Sequence, residues 1–197
     1  MILPREFYMR PVQIVARDML GKQLVHLIGN QRVGGIIVEA EAYDGEQDQA
    51  CHARVGRTER NKIMYSQGGH AYVYFTYGMH WMLNCVTGEI GYPSAVLFRS
   101  IIPNEGLDFI KSQRLDAPEK VWCNGPAKLT KALAITGDLN GCDLCAPLAT
   151  LFIENGVEIS ENKVKITPRI GIQSTPEPWL SKPWRFVADL SKDKNLI

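Results

Sequence analysis

Nowhere in its 197 residues does the chain carry an apolar run close to the ~20 residues that a membrane-spanning helix requires. Its opening residues, Met-Ile-Leu-Pro-Arg-Glu-Phe-Tyr, lack the basic start and apolar stretch of a secretion signal. Cysteine is too scarce and too odd in number, at five, to suggest a disulfide framework. Cys142-Asp-Leu-Cys145 has the spacing of metal ligands, but no second Cys-x-x-Cys or histidine pair completes a tetrahedral set. We therefore expect no metal and no cofactor, and treat the cysteines as small buried apolar residues. Charge of one sign is also missing: the net charge of +1 argues neither for nor against a polyanionic partner. Repeats, low-complexity runs and linkers are absent as well. What remains is an ordinary globular composition, 45% hydrophobic and 22% charged, long enough for one sizeable core. The expectation is one domain spanning 1–197 in a cytoplasmic protein, nucleoid-associated if the source is prokaryotic.

Patterning predicts a mixed α/β chain of α+β type, a curved and largely antiparallel sheet flanked by helices. A helix is expected over 11–20, with Pro11 in its first turn and Gly21 ending it. Strands follow at 23–28 and 33–43, joined by the Gly29-Asn30 turn. In the second strand, regular alternation places Ile37, Glu39, Glu41 and Tyr43 on one face and Ile36, Val38, Ala40 and Ala42 on the other. Residues 44–70 read as a long polar loop with a single helical turn near 61–65; loops of that length are often functional. Further strands are expected at 95–102, 149–154, 164–167 and 184–189, and helices at 104–115 and 125–135.

Charge is distributed more tellingly than its total. Residues 39–48 hold Glu39, Glu41, Asp44, Glu46 and Asp48 without a basic neighbour, and 52–62 hold Arg54, Arg57, Arg60 and Lys62 against Glu59 alone. Such a basic loop either contacts phosphates or is simply solvated. Glu41, near the end of an apolar strand, has two settings open to it. Strand position favours a wet sheet face, since Glu is seldom fully buried. An aromatic pocket would instead raise its pKa and make it a competent general base. Glu39 competes for the same role. Arg99 is the only charge in Ala95-Val-Leu-Phe-Arg-Ser-Ile-Ile102, so it requires an anionic partner such as Glu41, a phosphate or a polarised water. His52 is a flat ring that can stack on a base and make one hydrogen bond.

The most informative stretch is 71–84, Ala-Tyr-Val-Tyr-Phe-Thr-Tyr-Gly-Met-His-Trp-Met-Leu-Asn. Two alternating apolar runs flank a glycine turn, the signature of a hairpin. Tyr72 and Tyr74 share one face, Asn84 returns to their neighbourhood, and Tyr77 sits at the tip. Turn tips normally carry small polar residues. A large ring held there suits insertion between stacked bases, although aromatic hairpins are also ordinary core. One carboxylate, one arginine, stacking rings and a wedge together suit an enzyme that extrudes a base from a duplex.

Glu39-Ala-Glu-Ala-Tyr43, Ala50-Cys-His-Ala-Arg54, Tyr72-Val-Tyr-Phe-Thr-Tyr-Gly-Met79 with Asn84, and Leu97-Phe-Arg99 resemble the alkyladenine (3-methyladenine) DNA glycosylase family. Asn124-Gly-Pro-Ala-Lys-Leu129 and Pro168-Arg-Ile-Gly171 resemble its later motifs. The resemblance runs in order over most of the chain and departs from the family pattern at 88–93 and 172–176. It implies hydrolysis of the N-glycosidic bond of alkylated or deaminated purines (3-methyladenine, 7-methylguanine, hypoxanthine, ethenoadenine) in double-stranded DNA. It implies neither metal nor covalent intermediate. It also implies the roles: Glu41 as general base, with Arg99 and the Ile170 carbonyl holding the water. Tyr43 is then one wall of the base pocket, with His52 and Tyr74 as the other, and the His52 amide meets the purine's six-position edge. Asn84 crowds the amino group of guanine. Tyr77 is the wedge, with Met79 beside it in the minor groove, and Arg57 contacts a phosphate. A monomer is the simplest expectation. Two other readings stay open: a damage- or RNA-binding module without catalysis, which does not need Glu41, and a free-nucleoside hydrolase, which does not need Tyr77.

Overall fold

The computed structural model describes residues 1–115 and 117–190. Gln23–Ile28 (β1) and Gln31–Asp44 (β2) form the first hairpin, with Gly29 at positive φ in its turn. The second hairpin is Ala71–Thr76 (β3) and His80–Thr87 (β4). Ser94–Glu105 (β5), Leu151–Glu154 (β6), Val164–Thr167 (β7) and Arg185–Ala188 (β8) complete an antiparallel sheet ordered β3-β4-β5-β2-β1-β6. One edge of β2 is shared: 31–36 pair with β1, and 39–41 pair with β8, which carries β7. The helices are short: Arg5–Tyr8 (α1), Val12–Asp18 (α2), Leu107–Gln113 (α3) and Pro126–Ala132 (α4). No helix among the described residues is long and apolar enough to cross a membrane.

The main core lies between the helices and one sheet face. Val12 and Val15 of α2, Met19 just after it, Ile110 of α3, and Leu129 and Ala132 of α4 meet Ala40, Ala42, Val73, Leu83, Val96 and Phe98 there. A smaller cluster on the opposite face joins Tyr72, Val86 and Ala95 to Cys51, Ala53 and Met64 of the long loop. That loop holds two 3₁₀ turns, His52–Val55 and Lys62–Tyr65, where the sequence indicated one. Cys142 and Cys145 are free, partly buried thiols, and burial pushes each up to about 11.

Two expectations fail for identifiable reasons. The helix read over 104–115 begins only at Leu107. Residues 104–105 extend β5, and Gly106 turns the chain at φ +66°, where a Cβ would lie 2.7 Å from the Arg32 carbonyl oxygen. More consequential is the alternation of β2. Ile37 opposes Ile101, Glu39 opposes Ser100 and Ala40 opposes Phe98, so Val38 is an extra residue on β2 and Arg99 an extra residue on β5. Each bulge reverses the parity of its strand. Ile37 consequently packs in the main core with Ala40 and Ala42, not on the face of Glu39 and Glu41.

Candidate active site

Beyond the bulges, the second face of the sheet is lined by Tyr43 from β2, Leu97 and Arg99 from β5, Asn84 from β4, and Tyr72 and Tyr74 from β3. The loop residues Cys51 and His52 and the segment Ile170–Ile172 close over them. The cavity between them measures about 320 Å³. Tyr77 reaches its rim from the hairpin tip, 81% exposed. Tyr77 and Gly78 both have positive φ, +52° and +67°, and the Met79 amide donates to the Thr76 carbonyl at 3.1 Å. A type I′ turn requires positive φ at both central positions. An aromatic residue there is strained, by ~1–2 kcal/mol, and strain of this kind concentrates at functional positions.

Glu41 is fully buried directly behind the cavity wall, so the strand-position preference for a wet face is overturned. Its pocket satisfies it: the Ile170 amide donates to Oε1 at 2.7 Å, and the Tyr43 hydroxyl and Arg99 donate to Oε2 at 2.9 and 3.2 Å. Burial pushes its pKa above the usual carboxylate range, with Glu39 adding to the rise. Arg99, the Ile170 amide and Tyr43 pull it down without cancelling the shift. Burial also opposes the charge of Arg99, but Glu41 and Glu39 outweigh it and hold the guanidinium pKa above its ordinary value. Glu39 accepts from Arg99 and Arg185, both at 2.7 Å, and Arg185 continues to the Thr167 hydroxyl at 2.9 Å. A buried acid with a raised pKa, poised against an open cavity, is suited to accept a proton.

The other wall is aromatic. His52 meets the Tyr74 ring edge-on at 4.5 Å, and its Nδ1 lies 2.9 Å from the Tyr72 hydroxyl. Burial, then Arg60 and Arg54, lower the His52 pKa from 6.5 to about 4, so the imidazole is neutral near pH 7. Asn61 anchors this loop by donating to the His52 and Gly56 carbonyls. Asn84 is buried, and its amide donates to the Tyr72 carbonyl at 3.0 Å, which fixes how it enters the cavity.

Most of the residues singled out from sequence thus converge. Tyr43, His52, Tyr74, Tyr77, Asn84, Arg99 and Ile170 line one cavity, and Glu41 backs it. Met79 is exposed at the hairpin tip outside the lining, and Arg57 is exposed on the loop, its guanidinium 5.7 Å from the Tyr65 ring. For Ile170, the amide meets Glu41 at 2.7 Å; the carbonyl, which the resemblance assigns to the attacking water, is a separate group of that residue. Sequence reasoning missed the part of Arg60, which bonds the Phe75 carbonyl beside Tyr74, and the pairing of Asp48 with Arg169. It found no basic neighbour for the acids of residues 39–48 and offered a distant partner, Arg99, for Glu41 alone. Their partners Arg99, Arg169 and Arg185 lie 58 to 146 residues away in sequence, beyond the reach of any local signal.

Comparison with known proteins bears on this geometry. The family described as Methylpurine-DNA glycosylase (MPG) matches residues 6–192. A relative from Methanocella arvoryzae, provisionally named 3-methyladenine DNA glycosylase, is 48% identical over 94% of this chain and 91% of its own. One of the same name from Carboxydothermus hydrogenoformans is 47% identical over 94% of each chain. Another from Chlamydia felis is 39% identical over 99% of this chain and 100% of its own.

Proposed function

The chain belongs to the methylpurine-DNA glycosylase family, a hydrolase of N-glycosyl bonds in damaged DNA, and on that premise we propose how its residues perform the reaction. The whole chain acts as a single domain, as a monomer, on double-stranded DNA of the cytoplasm or nucleoid. Tyr77 enters the duplex from the minor groove with Met79 beside it and fills the gap left by an extruded purine. Arg57 holds a phosphate. The purine stacks between Tyr43 and the pair His52–Tyr74, with the His52 amide at its six-position edge. Aromatic stacking is worth ~1–3 kcal/mol per base, and a cationic, electron-poor ring gains further from π faces. A cavity of about 320 Å³ sits at the small end of ligand pockets, ~300–1,000 Å³, which suits a single base.

Glu41 takes a proton from a water that attacks the anomeric carbon. Arg99 and the Ile170 carbonyl steady that water, and the Ile170 amide fixes the carboxylate. The bond electrons leave with the purine. 3-Methyladenine and 7-methylguanine are cationic and depart readily, whereas hypoxanthine or ethenoadenine needs protonation on the ring. Asn84 crowds the exocyclic amino group of guanine and so spares the normal base.

One observation carries this reading: a buried carboxylate, Glu41, backs the same cavity that an exposed aromatic tip, Tyr77, overhangs. The test is incubation of the purified chain with duplexes holding 3-methyladenine, 7-methylguanine, hypoxanthine or ethenoadenine, followed by alkaline strand cleavage. Base release leaving alkali-labile sites is expected. Intact strands from every lesion would overturn the reading.

A further inference from the structure

The reaction described above gives no task to Asp48 and Arg169. Both side chains are fully buried, and they form a two-pronged ion pair, Nη1 to Oδ2 at 2.5 Å and Nη2 to Oδ1 at 2.8 Å. Arg169 also donates to the Ala42 carbonyl at 2.9 Å and the Trp179 carbonyl at 3.3 Å. Its guanidinium lies over the rings of Tyr43 and Trp184, at 4.7 and 5.1 Å. Asp48 accepts from the amides of Asp44 at 3.1 Å and Ala50 at 3.0 Å. The pair therefore fastens together three stretches distant in sequence: the end of β2 that carries Glu41 and Tyr43, the loop that carries His52, and the segment that carries Ile170.

Desolvating two charges is expensive, and a buried pair is weak evidence of a contribution to stability. Its value here is geometric. Arg169 is covalently next to Ile170, whose amide lies on Glu41, and Ala50 is two residues before His52. We propose that Asp48 and Arg169 are positioning residues of the glycosylase site, a buried clamp that holds the Ile170 amide against the Glu41 carboxylate and the His52 loop opposite Tyr43. The inference rests on the reading of Glu41 as general base.

A clamp and a mere structural staple differ in what they do to the acidity of Glu41. The groups facing Glu41 are Arg99 on β5, Glu39 and Tyr43 on β2, Tyr74 on β3, Arg185 on β8 through Glu39, and the Ile170 amide. Arg169 reaches Glu41 through the Ile170 backbone and through the Tyr43 ring. Loosening the clamp withdraws the Ile170 amide, one of the groups that keep Glu41 ionised, and the fraction of active base falls at acidic pH. Rate loss should thus be pH-dependent, which a general loss of folded protein would not produce.

The test is single-turnover release of 7-methylguanine from duplex DNA across pH, because departure of that cationic base needs no acid. Two variants of the full chain are compared with wild type below their melting temperatures. Arg169→Lys keeps the charge but not the fork. Asp48→Asn combined with Arg169→Met removes both charges together, which folded proteins tolerate better than losing one. The acid limb of the profile is expected to move up by roughly half a pH unit or more in both, since carboxylate acidity depends strongly on amide donors. A limb coincident with wild type, whatever the plateau rate, overturns the clamp. Should neither variant fold, the wild-type protein decides: the Ile170 amide proton resonance should titrate with the midpoint of the acid limb, and a resonance that ignores that midpoint refutes the proposal. Wild-type protein that releases no base refutes the glycosylase reading and this inference with it, whereas active wild type with unmoved limbs refutes only the clamp.

Discussion

Replacing Glu41 by Gln is the sharpest perturbation of this site, because it removes a proton acceptor while leaving the shape of the pocket. The Gln carbonyl oxygen can still accept from the Ile170 amide or Arg99, and Arg99 keeps Glu39 as its counter-charge. General-base assistance is worth ~10²–10⁴-fold, or about 2.7–5.4 kcal/mol at 1.36 kcal/mol per tenfold. Base release from a 7-methylguanine duplex under single-turnover conditions should fall by that factor, while lesion-duplex binding by gel shift stays near wild type. Stability responds as well. The folded pKa of Glu41 is raised, chiefly by burial. Its stabilising contribution belongs to the protonated form: it is complete below the unfolded pKa and lost as pH rises through the folded one. Glu41→Gln should remove that pH dependence from the unfolding free energy, although its NH2 then faces a donor, the Ile170 amide or Arg99. A variant within tenfold of wild-type activity would refute the general-base role. A pH–stability profile that the substitution leaves unchanged would refute the account of burial.

Three further outcomes follow from the same geometry. Tyr77→Ala should reduce excision from duplex DNA by about 5- to 150-fold, the equivalent of ~1–3 kcal/mol of stacking, and leave any cleavage of free nucleosides unchanged; equal losses on both substrates would refute the wedge. Asn84→Ser or Asn84→Gly should release normal guanine faster than wild type in the same alkaline-cleavage assay, and wild-type guanine release in both would dismiss the steric role of this buried amide. For His52, an NMR titration should place the midpoint near 4, not 6.5. Its depressed pKa contributes stability that is present above 6.5 and lost as pH falls towards 4. That loss reaches ~3 kcal/mol at 1.36 kcal/mol per pKa unit, and His52→Gln should flatten that part of the stability profile measured by denaturant unfolding.

How much of this was legible in the sequence depends on the range over which the physics acts. The aromatic hairpin declared itself locally, since alternation, β-branched and aromatic residues and a turn glycine all lie within 71–84. Its structure, β3 and β4 around Tyr77-Gly78, follows that reading closely. Strands β1, β7 and β8 and helix α2 were legible for the same reason. Helix α3 was misjudged by three residues because its start is set by Gly106 passing close to Arg32, a tertiary contact. The burial of Glu41 was illegible from strand position alone. It depends on Arg99 from β5, which the sequence offered with Glu41 as one possible partner, and on Ile170, 129 residues further along, which only the family resemblance linked to it. Asp48 and Arg169 stood in the sequence inside recognisable stretches, an acidic run and the Pro-Arg-Ile-Gly motif, but nothing local distinguishes an acid with a distant buried partner from one on a solvated face.

The paired bulges explain why one pair of strands can serve both the core and the site. With unbroken alternation, Ile37 would share a face with Glu39 and Glu41, and Ile101 would share a face with Arg99. Either the apolar residues would line a polar cavity or the charges would enter the main core, and both are costly. One additional residue on each strand, Val38 and Arg99, resolves the conflict because the two insertions keep the strands in step while reversing both parities. Ile37 and Ile101 then join the core, and Glu39, Glu41 and Arg99 share the opposite face within hydrogen-bonding reach of one another. Position 99 is thus both the inserted residue and the cation of the site. Two regular strands would leave it opposite Glu39 on the same face, but with Ile37 and Ile101 beside it, so the insertions separate the apolar pair from the charges without parting Arg99 from the carboxylates it neutralises.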